Sequence, residues 1–370
     1  KILLIPLTLS IIILYLSWEY QNFALLVLFL CFFLLIIFLI AKKHKNFILF
    51  LLSFTFMTSI VEILIPFILI DEYEVYFDLS SDYSNNYFKK VDGIGYLINS
   101  GKHNSKKFTK NGDIIYDVTY NIGTDGYREE IKSLKFDGYI FGGSFAFGEG
   151  LNDNQTISYY LNKQKSLKIK NYGIHGFGMH QALFNLQTEI IDKDEKIIIL
   201  LTSPFHAIRS ACKDNLGGPS YKLTLNGLKL TGLCDTKNFV QKLLWRSNII
   251  KAIDSAFTRI LIDKDDMELY LTIIENIFYE TQKTNSKLLI AYIDGYDKDW
   301  KDSEWNDDMT IDYLKKISHE FVDVTLAKRV EDIEKKYFLH EFDKHPSALA
   351  NFERAKLISK AISNLKKKYK

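Results

Sequence analysis

Lys196-Ile197-Ile198-Ile199-Leu200-Leu201-Thr202 has no polar residue between its two ends. A short apolar run of this kind reads as a strand covered on both faces, the state of a strand inside a parallel sheet. The flanking sequence agrees. Upstream, Ala182, Leu183, Leu186 and Ile190 recur at helical spacing and predict a helix from about Met179 to Asp192. Before it, Leu167 to Tyr172 alternates as a strand that ends at Gly173, Gln155 to Gln164 reads as a helix, and Tyr139 to Phe145 as a buried strand ending in small residues. Downstream comes an excursion from Ser203 to about Asn248, then a helical stretch to roughly Thr281, a strand at Leu288 to Ile293, and a helix at Ile311 to Ile317. A strand at Val322 to Leu326 and a basic-ended helix from Ala348 to Lys368 close the chain. Repeated alternation of strand and helix predicts a parallel sheet with helices on both faces. Ligands of such sheets sit at the carboxyl ends of the strands, so chemistry-bearing residues are sought just after each strand.

The chain has 370 residues and a net charge of +2 with both signs interspersed, which leaves no electrostatic footprint for nucleic acid. A charged glycan or lipid headgroup stays open as a substrate. Composition is uneven: the first seventy residues are almost wholly apolar and the rest is mixed. Ile2–Trp18, Phe23–Ile40 and Phe47–Ile70 read as three membrane-spanning runs, each close to the length that crosses roughly 30 Å of hydrocarbon. The Lys42-Lys43-His44-Lys45 loop is placed in the cytoplasm and Glu19-Tyr20-Gln21 outside it, so everything after Asp71 is expected on the far side. Glu62, within the third run, reads as either a polar contact with another membrane protein or a snorkelling side chain. The expected organisation is a transmembrane region over 1–71, a partly β lead-in over 72–130 that is too aromatic for disorder, and an α/β domain over 131–370.

Cys31 reads as a small hydrophobe inside an apolar run. Cys212 and Cys234 flank one loop-like segment; two free thiols are the plain alternative, and a bond between them is predicted if that segment lies in an oxidising compartment. Neither CxxC nor zinc-type Cys/His spacing occurs, and no metal or cofactor is expected.

Three short blocks carry the chemistry. Phe141-Gly142-Gly143-Ser144-Phe145-Ala146-Phe147-Gly148-Glu149-Gly150 follows the first strand, and its glycines allow the tight backbone that lifts a serine hydroxyl above a sheet. The spacing is wrong for a dinucleotide loop, no lysine follows for a phosphate loop, and Ala146 departs from GxSxG. Taken alone, a structural glycine turn fits equally well. Asn171-Tyr172-Gly173-Ile174-His175-Gly176-Phe177-Gly178 follows the second strand and can bring backbone N–H groups to an oxyanion at the sheet's mouth; an ordinary strand-to-helix turn is its plain alternative, and metal ligation by His175 and His180 a remote one. Asp343-Lys344-His345-Pro346-Ser347 precedes the last helix and offers an imidazole with a carboxylate beside it; taken alone, a His before Pro at a helix start is more often structural.

Together these blocks resemble the SGNH, or GDSL-like, hydrolases, whose fold is a flavodoxin-like three-layer α/β/α sandwich. The family's Gly-Asp-Ser is matched by Gly142-Gly143-Ser144, with Gly in place of Asp. Its Asn-x-Gly-x-x-Gly is matched by Asn171, Gly173 and Gly176, and its Asp-x-His-Pro by Asp343, His345 and Pro346. The stretch Asn121 to Arg128 is similar to the lead-in of envelope-anchored bacterial members. The resemblance covers about residues 136 to 370 and implies Ser144 as nucleophile, His345 as proton shuttle, Asp343 as its orienter, and the N–H groups of Ser144 and Gly176 as oxyanion donors. The family's third block supplies an Asn after the third strand. Here the place reads Leu201-Thr202-Ser203-Pro204-Phe205-His206, leaving His206 as the candidate third donor. The resemblance implies a serine esterase or O-acyltransferase; the apolar N-terminal runs and their loop charges add the expectation of an acylated envelope glycan or lipid-linked saccharide as substrate at a bacterial inner membrane, the domain facing the periplasm or exterior, with polysaccharide-assembly proteins as candidate partners. The rival expectation is a catalytically weak member serving as a scaffold or carbohydrate-binding partner.

Overall fold

The computed structural model describes residues 23–40, 43–68, 75–77, 86–109, 111–133, 135–165, 167–188, 195–213, 217–234, 247–250, 262–295, 304–326, 335–341 and 343–369. The chain divides into two compact units, one containing the N-terminal apolar helices with residues 237–259, the other residues 75–236 and 260–370.

In the first unit, α1 (Phe23–Ile40) and α2 (Lys45–Ile68) are helices. Within α2, Lys45–Ile65 is long and apolar enough to cross a membrane, with a mean hydropathy of 2.3. Phe47, Phe50, Phe54, Phe56 and Met57 are exposed along it, an apolar surface too large to face water comfortably. Helix α1 is apolar over all of its 18 residues, and the run at Ile2–Trp18 lies outside the described residues. Of the three expected spans, Lys45–Ile65 is the one that has spanning length among the described residues. Glu62 is buried and bonded within its own unit: its carboxylate accepts the N–H of Asn248 at 2.7 Å and of Ile249 at 3.3 Å, and the Ser247 hydroxyl. No contact with another protein is needed to satisfy it.

The second unit begins with antiparallel strands, β1 (Val75–Phe77), β2 (Phe88–Val91), β3 (Gly95–Ile98), β4 (Gly101–Thr109) and β5 (Ile114–Ile122). Strand β4 pairs with both β1 and β5, and β2 with β3. The parallel sheet follows: β6 (Gly138–Phe141), β7 (Ile169–Asn171), β8 (Ile197–Thr202), then β9 (Pro219–Thr224) and β10 (Gly227–Leu233) as a separate hairpin. It resumes with β11 (Lys287–Tyr292) and β12 (Glu320–Asp323). The sheet order is β12-β11-β8-β6-β7, all parallel, the 2-1-3-4-5 order of doubly wound flavodoxin-like sheets.

The run that opened the sequence reading is β8, buried at every residue and central in the sheet. Its alternation sorts the core into two layers, because successive side chains of a strand point to opposite faces. Ile198 and Leu200 pack with Ile273, Ile274 and Ile277 of α7 (Lys264–Lys283) and Leu183 of α5 (Met179–Gln187). Ile197, Ile199 and Leu201 pack with Leu161 of α4 (Ile157–Lys165) and Ile358 and Ile362 of α9 (Ala348–Lys368). At about 1.5–3 kcal/mol per fully buried aliphatic side chain, these two layers dominate the driving force for folding. The three-layer α/β/α expectation holds.

Boundaries differ where local chemistry intervenes. Strand β6 stops at Phe141 because Ser144–Phe147 turns into a short helix, α3. The helix expected over Ile311–Ile317 starts earlier, as α8 (Asp307–Lys316), because the Asn306 side chain caps the Met309 N–H. The excursion after β8 holds a short helix, α6 (His206–Ser210), and the β9–β10 hairpin. Cys212 and Cys234 are disulfide-bonded across this excursion, with Cα atoms 5.4 Å apart. Closing a loop of that length removes denatured-state entropy worth about 3 kcal/mol.

Candidate active site

Strands β6, β7 and β8 end side by side, and their following turns form one mouth. The first turn passes from β6 through Gly142-Gly143 into α3, which begins at Ser144. A Cβ at Gly143 would lie 2.5 Å from Arg209 Nη1, 2.9 Å from the Phe177 carbonyl and 3.3 Å from His206 Nε2. The turn therefore has no room for the Asp that the sequence motif would carry at this place. The second turn touches the first: a Cβ at Gly173 would meet the Phe147 N at 2.5 Å. Asn171 braces the two, donating to the Ala146 carbonyl at 2.8 Å and accepting the Gly173 N–H at 2.9 Å.

Arg128 clamps the other end of α3. Its guanidinium donates to the carbonyls of Phe147 (2.8 Å), Gly148 (2.9 Å) and Leu151 (2.5 Å) and pairs with Asp153 at 2.7 Å. These contacts satisfy acceptors that a helix C-terminus leaves bare.

The third contributor is a loop before α9. Phe338–His340 and Asp343–Pro346, β13 and β14, form a small antiparallel pair that presents His345 over Ser144. Ser144 Oγ lies 2.9 Å from His345 Nε2, and His345 Nδ1 lies 2.6 Å from Asp343 Oδ1. The Nδ1–H donates to the carboxylate, which leaves Nε2 to accept the serine proton. Asp343 also accepts the His345 backbone N–H at 3.0 Å, and its second oxygen accepts Lys107 Nζ at 2.7 Å. Burial pushes the Asp343 carboxyl up, but the hydrogen bonds from His345 and Lys107 outweigh it and hold the group well below the usual carboxylate range.

Ser144, His345 and Asp343, named from sequence, thus stand in one hydrogen-bonded line. Ser144 and Gly176 lie on adjoining turns, and among the described residues no protein acceptor takes either N–H. Gly176 has φ +75°, a conformation suited to glycine. His206 is buried, its Nδ1 lies 3.0 Å from Thr202 Oγ1, and Thr202 Oγ1 lies 2.8 Å from Tyr270 Oη. Its Nε2 has no hydrogen-bond partner among the described residues. Burial, then the Arg209 charge, hold its pKa well below the ordinary histidine value, so the ring is neutral. If Thr202 donates to Nδ1, Nε2 carries the proton, on the side where a Cβ at Gly143 would lie 3.3 Å away.

Sequence reasoning missed Lys107, and it missed the group on the far side of His345. Glu149 Oε2 lies 3.4 Å from His345 Nε2 and 2.7 Å from His175 Nδ1, and His175 Nε2 lies 3.0 Å from Tyr87 Oη. His175 is therefore a hydrogen-bonded link in this chain. Among the described residues no group of three His, Cys, Asp or Glu could hold a metal.

A parallel 2-1-3-4-5 sheet with a Gly-Gly-Ser turn after its first strand, an Asn-x-Gly-x-x-Gly turn after its second and an Asp-x-His loop before its last helix decides the fold. It is the SGNH, or GDSL-like, hydrolase fold. Solved structures similar to the chain include a protein described as lipolytic, of the G-D-S-L family, from Desulfitobacterium hafniense, at 12% identity over 61% of this chain and 99% of the other, TM-score 0.34. Others are a carbohydrate esterase family 2 enzyme with a carbohydrate-binding domain from Corynascus thermopiles (11%, 70% and 70%, TM-score 0.34) and a variant of an acetyl-xylooligosaccharide esterase from Geobacillus (13%, 63% and 96%, TM-score 0.35). No protein-family model matches the chain. No curated protein matches it either. Within the SGNH fold, the chemistry follows from this chain's own side chains.

Proposed function

We propose that this chain is a serine esterase or O-acyltransferase acting on acyl esters of an envelope glycan or lipid-linked saccharide. The observation that carries the reading is the hydrogen-bonded line from Ser144 through His345 to Asp343. Ser144 Oγ attacks the ester carbonyl while its proton passes to His345 Nε2, and Asp343 stabilises the imidazolium. The N–H groups of Ser144 and Gly176 and the Nε2–H of His206 receive the oxyanion, so His206 takes the place of the motif's missing Asn. Collapse of the tetrahedral intermediate expels the alcohol, which leaves with the proton from His345, and an acyl group stays on Ser144. Water then completes hydrolysis, or a sugar hydroxyl completes transfer; either one gives a proton to His345 as it attacks.

With p-nitrophenyl acetate, the full-length protein should release nitrophenol, and His206→Ala should slow that release on the order of 10²-fold. Absence of turnover in the wild type would sink the proposal, and an unchanged rate in His206→Ala would remove His206 from the oxyanion site. Adding mono- and oligosaccharide acceptors separates the two activities, since a transferase yields acetylated sugar in place of acetate.

We further propose that the SGNH domain is tethered at a bacterial inner membrane and faces the periplasm or exterior. Supports are the spanning length of Lys45–Ile65, the Lys42-Lys43-His44-Lys45 loop before it, and the Cys212–Cys234 bond, which suits an oxidising compartment. Alkaline phosphatase fused after Asp71 should be active; a silent phosphatase fusion beside a working cytoplasmic reporter would reject this side.

A further inference from the structure

A catalytic serine–histidine pair needs one carboxylate, and this site has two. Asp343 accounts for the Nδ1 edge of His345. Glu149 approaches the opposite edge, the one that handles the proton in flight, with Oε2 at 3.4 Å from Nε2. It comes from the Gly148-Glu149-Gly150 turn that ends α3, is buried, and is fixed from behind by His175 Nδ1 at 2.7 Å, which in turn meets Tyr87 Oη at 3.0 Å. The turn itself is pinned, since the Gly150 N–H donates to Tyr120 Oη at 2.9 Å and Arg128 holds the Gly148 carbonyl.

We propose that Glu149 is a second carboxylate partner of the proton-shuttling imidazole, acting as a positioning residue at the Nε2 edge as Asp343 acts at the Nδ1 edge. The proposal rests on the esterase reading above. Its physical content is electrostatic. When Ser144 gives up its proton, the imidazolium is flanked by negative charge on both sides, with the Glu149 side chain 9% exposed and His345 23%. The same arrangement gives the resting ring a stronger hold on a proton and so sets the lowest pH at which the base is free.

The groups facing His345 come from several elements. Asp343 and Glu149 are the anions, Lys107 from β4 is the cation, and His175 stands behind Glu149. Burial of the His345 ring works against its charge, but Glu149 and then Asp343 outweigh burial and Lys107, and the pKa is raised. Burial likewise works against the Glu149 charge, but His175 and His345 lower its pKa to about 2, so it is an anion at every working pH. The His175 pKa is lowered, chiefly by burial, so that link is a neutral hydrogen-bond donor. The phenols of Tyr116 and Tyr120 beside it are raised by burial and stay neutral.

The test is the pH dependence of Ser144 labelling by a fluorophosphonate in the full-length protein and in Glu149→Gln. The amide keeps the size of the side chain and an acceptor for His175, and removes only the charge. The sign follows directly: without the anion, His345 releases its proton more readily, so the acid limb should move to lower pH, by roughly one unit. The plateau rate should fall, because the imidazolium formed in the step has lost a partner. A purely structural Glu149 would lower the plateau and leave the limb in place, and that result overturns the proposal. Should Glu149→Gln not fold, Glu149→Asp withdraws the charge by one methylene and should move the limb the same way by less. If the wild type is not labelled, or Ser144→Ala is labelled equally, the esterase reading fails. NMR titration of His345 in ¹⁵N-histidine protein then still decides on Glu149, through the same downward shift or its absence.

Discussion

Ser144→Ala should lower turnover of p-nitrophenyl acetate by up to about six orders of magnitude, to the level of oxyanion-site and binding effects alone. The size follows from the role: no other hydroxyl stands within reach of His345 Nε2 in the described site, so the variant has no nucleophile to make an acyl-enzyme. Little else should change. The Ser144 Oγ makes its hydrogen bond to His345 and no other among the described residues, and losing one such bond to a partly exposed ring costs about 1 kcal/mol. Melting temperature should therefore move by a few degrees at most while activity disappears. Unaltered acyl-enzyme formation in this variant, followed by mass spectrometry, would remove the mechanism.

Asp343→Asn should cost about 10⁴-fold in rate, because an amide no longer fixes the tautomer that leaves Nε2 free. Here the change has a second effect that activity does not report. Lys107 Nζ sits 2.7 Å from Asp343 Oδ2, with side-chain exposures of 10% and 2%. Neutralising the carboxylate removes the anion against which a buried ammonium sits at 2.7 Å, a loss on the order of 3 kcal/mol. Its pH dependence is defined: the Asp343 pKa is held below its unfolded value, so the pair's contribution is complete above pH 4 or so and is lost as pH falls through the lower folded value. Melts of the wild type should therefore weaken toward strongly acidic pH more steeply than melts of Asp343→Asn. Adding Lys107→Met should recover stability in Asp343→Asn and leave the rate low. If stability and rate recover together, the two roles of Asp343 have been wrongly separated.

What the sequence disclosed depended on how local the signal was. Strand β8 was legible because an unbroken apolar run has few homes other than the middle of a parallel sheet. The three chemical blocks were legible because each is a few residues long and falls at a strand end or a helix start. The β9–β10 hairpin could have been read and was passed over: Asn226-Gly227 between Leu-rich alternating segments is a strong hairpin signal. Other features left no local trace. Lys107 and Asp343 are 236 residues apart in the chain, and nothing in the pattern around Lys107 sets it apart from the other lysines of its strand. Glu149, between two glycines, reads as a turn residue until His345 is seen above it.

The clamp that Arg128 places on α3 and the bond from Lys107 to Asp343 have a consequence for how this protein could be inherited in pieces. Ser144, His345 and Asp343 all come from the parallel sheet and its loops, yet two of the groups that hold this arrangement, Lys107 of β4 and Arg128 after β5, are translated earlier. A recombination event that carried the sheet elsewhere without those residues would deliver a serine whose helix ends in bare carbonyls and an aspartate with one unanswered oxygen. Exchange of the preceding segments is therefore costly anywhere between Tyr87, whose hydroxyl meets His175, and β6. The unit on which selection can act as a movable part is longer than the sheet that gives the fold its shape.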